Sequence, residues 1–124
     1  MIQDVNLIKE KFNKLMENDK TVESLILISK DGLPISSTLS MEEEEKIAAL
    51  SASLVMLGER AIEDFKKGEF EEIFARGNEG YIFIYNISQN IALLGILTNE
   101  AKLGLIRLEF KNLVNDLKQI VGNF

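Results

Sequence analysis

The spacing of apolar residues divides the chain into three amphipathic helices and two groups of strands. In the first segment apolar side chains recur mostly at steps of three and four, which predicts a helix over Val5–Asn18. The same spacing predicts a last helix over Asn99–Asn123, with Asn99 as its N-cap. The longest helical pattern, Ser40–Lys67, lies between them and contains no proline.

Five short apolar runs predict strands, because they contain β-branched or aromatic residues and are bounded by polar or glycine-containing turns. They are Val22–Ser29, Leu33–Leu39, Glu69–Arg76, Tyr81–Ser88 and Ile91–Thr98. Short turns join the first two runs and the last three, so these neighbours should pair antiparallel. The first, fourth and fifth runs are apolar on both faces, so helices should cover the sheet on both sides. The pattern predicts an α+β fold with three layers, α/β/α, in which the long helix covers one face of a five-stranded antiparallel sheet and the other two helices cover the opposite face.

The long central helix has recognisable signals at both ends. Ser40 is a favourable N-cap, and Glu43 completes a capping box with it. The acidic run Glu42–Glu45 fills the first turn, where negative charge complements the helix dipole. Two lysines precede Gly68, which we expect to be the left-handed residue that terminates the helix.

Apolar side chains cover more of the central helix than a single contact requires. One stripe is expected to seat the helix on its own sheet, and it consists of Ile47, Leu50, Leu54, Leu57, Ala61 and Phe65. A second group lies off this stripe, with Ala48, Ala52, Val55 and Ile62 on one flank and Ala49 and Met56 further round. This second group meets either another protein chain or another part of the same domain.

The third strand is the candidate edge of the sheet, because it is half charged. It also follows the central helix directly along the chain. If the two lie side by side, a two-fold axis there would pair strand with strand and helix with helix. We therefore predict a homodimer, whose interface would bury on the order of 1,600 Å² in total.

Length and composition restrict the possible classes of function. The 124 residues, 46% of them hydrophobic and 27% charged, fit a single globular domain over 1–124. The chain has no apolar run of membrane-spanning length, no signal peptide at Met1–Asp4 and no cysteine, so a cytoplasmic protein is expected. A net charge of −6 disfavours a nucleic-acid partner, and the absence of histidine removes the commonest general base and metal ligand.

Three short motifs carry chemical groups, but none predicts a reactive site. The carboxylates of Glu42–Glu45 point in different directions around a helix and cannot converge on one cation. The turn at Gly77–Gly80 lacks the lysine and glycine spacing of a phosphate-binding loop. Ser29 and Lys30 are adjacent on a strand and should face opposite sides of the sheet. We expect no catalytic residue, no metal ligand and no cofactor.

The order of elements resembles the Roadblock family, which includes roadblock-type dynein light chains and MglB-like regulators of Ras-like GTPases. The resemblance spans essentially the whole chain. It is carried by the hairpin Leu27–Ile35 and by the central helix, with Leu50, Ala52, Leu54 and Gly58. It implies a non-catalytic homodimer whose paired central helices offer a platform to a small GTPase.

The resemblance also implies two sets of interface residues. The dimer interface would consist of Ala48, Ala52, Val55, Glu59 and Ile62 on the helix and Glu71, Ile73 and Ala75 on the third strand. The GTPase-binding face would consist of Ala49, Met56, Arg60 and Glu63. Arg60 is the best placed arginine for a finger toward the GTPase, but a surface charge is the favoured interpretation. The alternative function is a small-ligand sensor or general interaction module of profilin-like architecture, which the scarcity of polar side chains inside the strands disfavours.

Overall fold

The computed structural model describes residues 4–122 and contains three helices and five strands. The helices are α1 (Val5–Asn18), α2 (Met41–Asp64) and α3 (Leu103–Val121). The strands are β1 (Val22–Ser29), β2 (Pro34–Ser37), β3 (Glu72–Gly77), β4 (Gly80–Asn86) and β5 (Ile91–Thr98). The bounds of α1, β1 and β5 match the prediction, whereas α2, α3, β2, β3 and β4 are shorter than predicted. The predicted end of the last helix, Asn123, lies outside the described residues.

The strands form one antiparallel sheet in the order β2-β1-β5-β4-β3. The two longest apolar strands, β1 and β5, are neighbours in the middle of the sheet. The predicted α+β fold is therefore confirmed, and β3 lies at an edge of the sheet as its charged residues indicate.

Two hydrophobic cores lie on opposite faces of the sheet, which explains why its inner strands are apolar on both sides. Alternate residues of β1 contribute to each core: Leu25 and Leu27 face α1 and α3, and Ile26 and Ile28 face α2. Phe12, Phe83 and Phe110 fill the core beneath α1 and α3. The chain thus buries both faces of the sheet within one domain.

The close packing of α3 on the sheet depends on Gly95 of β5. A Cβ atom at this position would lie 2.5 Å from Cζ of Phe110. Phe110 is fully buried and its ring stacks on that of Tyr85, with 5.5 Å between ring centroids. Gly95 is therefore required by close approach of an aromatic ring rather than by a turn.

The predicted N-cap of α2, Ser40, is confirmed, but Glu43 does not return the second bond of a capping box. The residue predicted to terminate the helix is wrong. Ser40 Oγ accepts a hydrogen bond from the backbone N–H of Glu43 at 3.4 Å. The residue that terminates the helix is Lys66, with φ of +57°, although Gly68 also has a positive φ, of +90°. The N–H of Lys66 donates to the carbonyl of Glu63, and the next N–H donates to the carbonyl of Ile62. This early termination lets the chain turn back so that Phe70 packs beside α2.

The predicted N-cap of α3 is also wrong. The cap residue is Lys102, which makes no side-chain capping bond. The segment after Thr98 instead forms a turn in which the N–H of Ala101 donates to the Thr98 carbonyl at 3.2 Å. Ala101 is buried, so packing of this turn delays the start of the helix.

Candidate interaction surface

Parts of the two apolar groups on α2 have exchanged places relative to the prediction. Ala48, Ala52 and Val55 are buried against the sheet, together with Ser51. Leu50 and Leu57 are each 61% exposed, and Phe65 is 74% exposed. The prediction that this stripe seats the helix on its own sheet is therefore wrong for Leu50, Leu57 and Phe65, whereas Ile47 and Leu54 are half-buried against the sheet as predicted.

The exchange has a steric cause. Small side chains at Ala48 and Ala52 let α2 lie close to the sheet and to the β1–β2 hairpin. A Cβ atom added to Gly32 in that hairpin would lie 3.6 Å from Cα of Ala49. The small residues thus allow α2 to approach the sheet and the hairpin of its own domain closely, and the larger leucines remain exposed on the surface.

The exposed stripe of α2 lies on the side of the helix that faces β3. A Cβ atom at Gly58 would lie 2.9 Å from Cδ1 of Ile73 on β3. Gly58 is surrounded on the helix surface by Leu57, Ala61 and Leu54, which lie one, three and four residues from it along the chain. We call the set Leu50, Leu54, Leu57 and Ala61 the leucine stripe; Leu54 is half-buried and the others are exposed.

The edge strand β3 continues the leucine stripe onto the sheet. Among the described strands it pairs only with β4, so the N–H and C=O groups on its other side are open. Ala75 and Glu71 are exposed and Ile73 is half-buried on the α2 side. The strand residues predicted for the dimer interface therefore lie at or beside an open edge.

Arg107 of α3 holds the opposite face of β3 in place. Its Nη1 atom donates to Oε2 of Glu72 at 3.0 Å, and its guanidinium lies over the rings of Phe74 and Phe83. No contact of Arg107 was predicted from the sequence. The charge on β3 and the arginine on the flank of α3 are the signals that could have suggested this pair.

The helix residues predicted for the dimer interface lie away from the leucine stripe. Ala48, Ala52 and Val55 belong to the domain's own core and are not available to a second chain. Oε2 of Glu59 is 3.0 Å from Nζ of Lys30, so Glu59 faces the β1–β2 hairpin rather than β3. Ile62 is half-buried against the sheet.

The predicted GTPase-binding residues are all exposed and lie together on one side of α2. The set is Ala49, Met56, Arg60 and Glu63. At about 100° per residue this side is turned away from the leucine stripe and toward the β1–β2 hairpin. Arg60 makes an exposed ion pair with Asp64, with 3.7 Å between Nε and Oδ2. The structure thus separates α2 into a buried face and two exposed sides.

The exposed sides of α2 have the features of a protein-binding surface. Within residues 4–122 there is no group of three or more acidic side chains placed to hold a metal ion. No helix in the same range is both long and apolar enough to span a bilayer. Large exposed apolar side chains beside an open strand edge are instead typical of a protein interface.

The family model of the Roadblock/LC7 domain matches residues 8–98. A comparison with curated proteins finds no match. Three solved structures share the fold across most of both chains. MglB from Myxococcus xanthus is 23% identical, with a TM-score of 0.87 over 96% of this chain and 98% of that chain. A Roadblock/LC7 domain from Streptomyces avermitilis is 22% identical, with a TM-score of 0.84 over 90% of this chain and 95% of that chain.

The gliding protein MglB from Thermus thermophilus is 15% identical, with a TM-score of 0.83 over 94% of this chain and 89% of that chain. At these identities the structural likeness shows a shared fold. The family match is independent of it and extends from α1 to the end of β5. The chain belongs to the Roadblock/LC7 domain family.

Proposed function

We propose that this protein is a non-catalytic homodimeric scaffold that binds and regulates a small Ras-like GTPase through its paired α2 helices. The observation that carries the proposal is the position of the leucine stripe directly beside the open edge of β3. The role of GTPase regulator comes from the resemblance to MglB-like members of the family. Self-association agrees with the description of one similar structure as MglB with a tetrameric arrangement.

A two-fold axis along the β3 edge would satisfy both unused features of the surface. It would pair β3 with its copy, so that the open backbone groups gain hydrogen bonds. It would also place the two leucine stripes against each other. Burying an exposed leucine contributes about 1.5–3 kcal/mol, so Leu50 and Leu57 from both chains supply a substantial driving force.

The interface therefore uses residues different from those expected on α2. We assign the leucine stripe to the helix part, and Glu71, Ile73 and Ala75 to the strand part. The predicted GTPase-binding residues stay exposed in such a dimer, because they lie on the other side of each α2 helix. Arg60 is a surface charge with an exposed partner, Asp64, and we propose that regulation acts through contacts with the switch loops of the GTPase rather than through an arginine finger.

Direct binding to purified Ras-like GTPases from the source organism tests the proposal. Each GTPase is loaded with GDP or with a non-hydrolysable GTP analogue and titrated calorimetrically with the wild-type protein. We expect binding that depends on the nucleotide and weakens at least about tenfold in Met56→Glu, which places a charge in an apolar contact. Leu108→Glu is the control, because Leu108 is similarly exposed but lies on α3.

Two results would contradict the proposal. One is that no GTPase binds the wild-type protein in either nucleotide state. The other is that Met56→Glu and Leu108→Glu bind as tightly as the wild type. A loss of GTP hydrolysis near a thousandfold in Arg60→Ala would contradict the regulatory mechanism, because that is the scale of an arginine finger.

The alternative, a small-ligand sensor, has one observation in its favour. A groove of about 880 Å³ lies between α3 and the segment before β3. Tyr85 Oη and Asn86 Oδ1 are buried there without a hydrogen-bond partner. Burial and the charge of Glu72 raise the pKa of Tyr85 to about 12, so its hydroxyl stays neutral. The ion pair of Arg107 with Glu72 already joins the two walls of the groove, which favours a structural role.

A further inference from the structure

We infer that β3 carries a self-recognition pattern, Glu72, Phe74 and Arg76, which pairs with the same pattern in a second copy of this chain. In this pairing Phe74 faces Phe74 and Glu72 faces Arg76 of the other copy, an alignment that we call the Phe74-centred register. The inference rests on the proposed function, because it specifies how the proposed homodimer is joined at β3 and why β3 selects its own copy.

The two faces of β3 differ in their chemistry. Ile73 packs with the core beneath α2, whereas Phe74 lies beneath the guanidinium of Arg107 on the α3 side. Side chains alternate along a strand, so Glu72 and Arg76 share the α3 side with Phe74. The hydrogen bond from Arg107 to Glu72, at 3.0 Å, agrees with this. A dimer whose α2 helices lie on the same side of the joined sheet therefore sets even-numbered residues opposite even-numbered ones.

The backbone groups of β3 alternate in the same way. The carbonyl of Glu71, just before the strand, accepts a hydrogen bond from the N–H of Asn86 at 2.9 Å. In an antiparallel pair such residues alternate with residues whose groups point the other way. The N–H and C=O groups of Glu72, Phe74 and Arg76 therefore point to the open edge.

The length of β3 favours one alignment of these outward groups. The strand extends only from Glu72 to Gly77. In the Phe74-centred register Glu72, Phe74 and Arg76 all face one another's copies and exchange backbone hydrogen bonds. If one copy slides by two residues in either direction, one of the three faces a residue outside the strand. The Phe74-centred register therefore forms the longest hydrogen-bonded ladder.

The side chains on the α3 side favour the same register. It sets the two Phe74 rings against each other, and by symmetry it places Glu72 opposite Arg76 twice. Aromatic pairs and opposite charges both stabilise cross-strand contacts. After a slide of two residues Phe74 would face Glu72 or Arg76, and the charge pairs would be lost.

The three side chains are available for this contact. Phe74 is 38% exposed, although it lies on a strand between packed aromatic rings. Within residues 4–122 Arg76 makes no ion pair, and the Glu72 side chain is 38% exposed even though it bonds to Arg107. The order Glu72, Phe74, Arg76 is complementary to itself in the antiparallel direction. A strand with another order of charges would match it less well, so the occupant of this edge is a second copy.

Charge reversal in the full chain tests the pattern. Glu72→Arg and Arg76→Glu are measured separately and as an equimolar mixture by sedimentation equilibrium. We expect each variant alone to raise the dissociation constant of the dimer at least about tenfold, because two attractive pairs become repulsive. The mixture should recover a dissociation constant near that of the wild type, because the mixed dimer has opposite charges at both positions. Loss of the Arg107 bond in Glu72→Arg cannot produce this recovery.

A control and a second measurement accompany the charge reversal. Glu10→Arg, at an exposed position of α1, should neither weaken the dimer nor rescue Arg76→Glu. Single cysteines report the register, because only a residue on the two-fold axis faces itself. Oxidation should cross-link Phe74→Cys alone, whereas Ile73→Cys and Ala75→Cys should cross-link with each other when mixed and not alone.

Each outcome decides the inference. If the wild type is a dimer and the mixture of charge variants does not recover it, the inference is wrong and the proposed function stands. The same holds if Ile73→Cys or Ala75→Cys alone cross-links in place of Phe74→Cys. If the wild type is a monomer, the proposed homodimer fails and the inference fails with it. Recovery in the mixture supports the inference and establishes that both variants fold.

Discussion

The carboxyl groups of Glu109 on α3 and Asp19 after α1 interact directly, and their pKa values move in opposite directions. Burial, the charge of Asp19 and a hydrogen bond to Asp19 raise the pKa of Glu109. Burial also acts to raise the pKa of Asp19, but hydrogen bonds outweigh it and the pKa is lowered. Two of those bonds come from the hydroxyl and N–H of Thr21, at 2.6 and 2.9 Å. Protonation of Glu109 therefore removes the repulsion between the two carboxylates, whereas Asp19 keeps its charge and its bonds from Thr21.

This pair predicts a specific pH dependence of stability. The contribution of Glu109 to the free energy of unfolding is fully present below the ordinary glutamate pKa. It is lost as the pH rises through the raised pKa of Glu109. Glu109→Gln keeps a hydrogen-bond donor and does not titrate. The free energy of unfolding of the wild type relative to this variant should therefore fall with rising pH, measured by urea denaturation between about pH 4 and pH 8. A difference that stays constant across this range would contradict the assignment.

The left-handed backbone at Lys66 predicts a stabilising substitution. A non-glycine residue in this conformation carries about 1–2 kcal/mol of strain, and glycine relieves it while adding some unfolded-state entropy. Lys66→Gly should raise the free energy of unfolding by about 1 kcal/mol in chemical denaturation. Lys67→Gly is the control. It should lower the free energy of unfolding, because Lys66 is the only described non-glycine residue with positive φ and a glycine at position 67 relieves no strain. Equal effects of the two substitutions would contradict the end of α2 described above.

At the scale of secondary-structure elements, periodicity located the helices and strands but not the orientation of α2. The helix α1 has a single apolar face and β1 is apolar on both faces, so each element can be placed against the core in only one way. On α2 two apolar groups compete for the sheet, and hydrophobicity alone favours the leucines. Packing reversed this for Leu50 and Leu57, since the small side chains of Ala48 and Ala52 let the helix lie close to the sheet. Gly32 and Ser51, both small and both against the helix–sheet contact, are the signals that could have indicated it.

The contact between β5 and α3 predicts a position that does not tolerate a methyl group. Gly95→Ala would place a Cβ atom against the buried ring of Phe110, which is held by Phe83 and Tyr85. We expect a loss of about 1–3 kcal/mol in the free energy of unfolding, the usual cost of overpacking a core. Gly104→Ala on α3 meets nothing within 4 Å and should be neutral or stabilising. Equal stability of Gly95→Ala and the wild type would contradict this packing.

At the scale of the whole molecule, the sequence could predict that apolar surface remained unused and that β3 lay at an edge. It could not predict which α2 side chains line that surface, because this depends on where the helix rests on the sheet. Glu59 is an example. The resemblance implied that Glu59 lies in the dimer interface, whereas its contact with Lys30 places it on the side of α2 opposite the leucine stripe.

Pairing of β3 with its copy predicts cross-linking by a single introduced cysteine. The chain contains no cysteine, so any disulfide formed must join two copies. Each of residues 73–76 is replaced by cysteine, one at a time, and the purified variant is oxidised. Facing residues of an antiparallel pair lie about 4.5–5.5 Å apart at Cα, within disulfide range. A covalent dimer should form at one or two of these positions and not with Ser37→Cys on β2. Cross-linking at none of the four positions would contradict strand pairing.

The most direct test of the proposed assembly is the molar mass in solution, measured by sedimentation equilibrium at micromolar concentration. The wild type should have twice the chain mass of 14.0 kDa. Leu57→Arg should return the mass to that of a single chain, while Leu108→Arg, at a similarly exposed leucine on α3, should leave the dimer intact. A wild-type protein of single-chain mass, or a Leu57→Arg variant that remains dimeric, would contradict a dimer built on the leucine stripe.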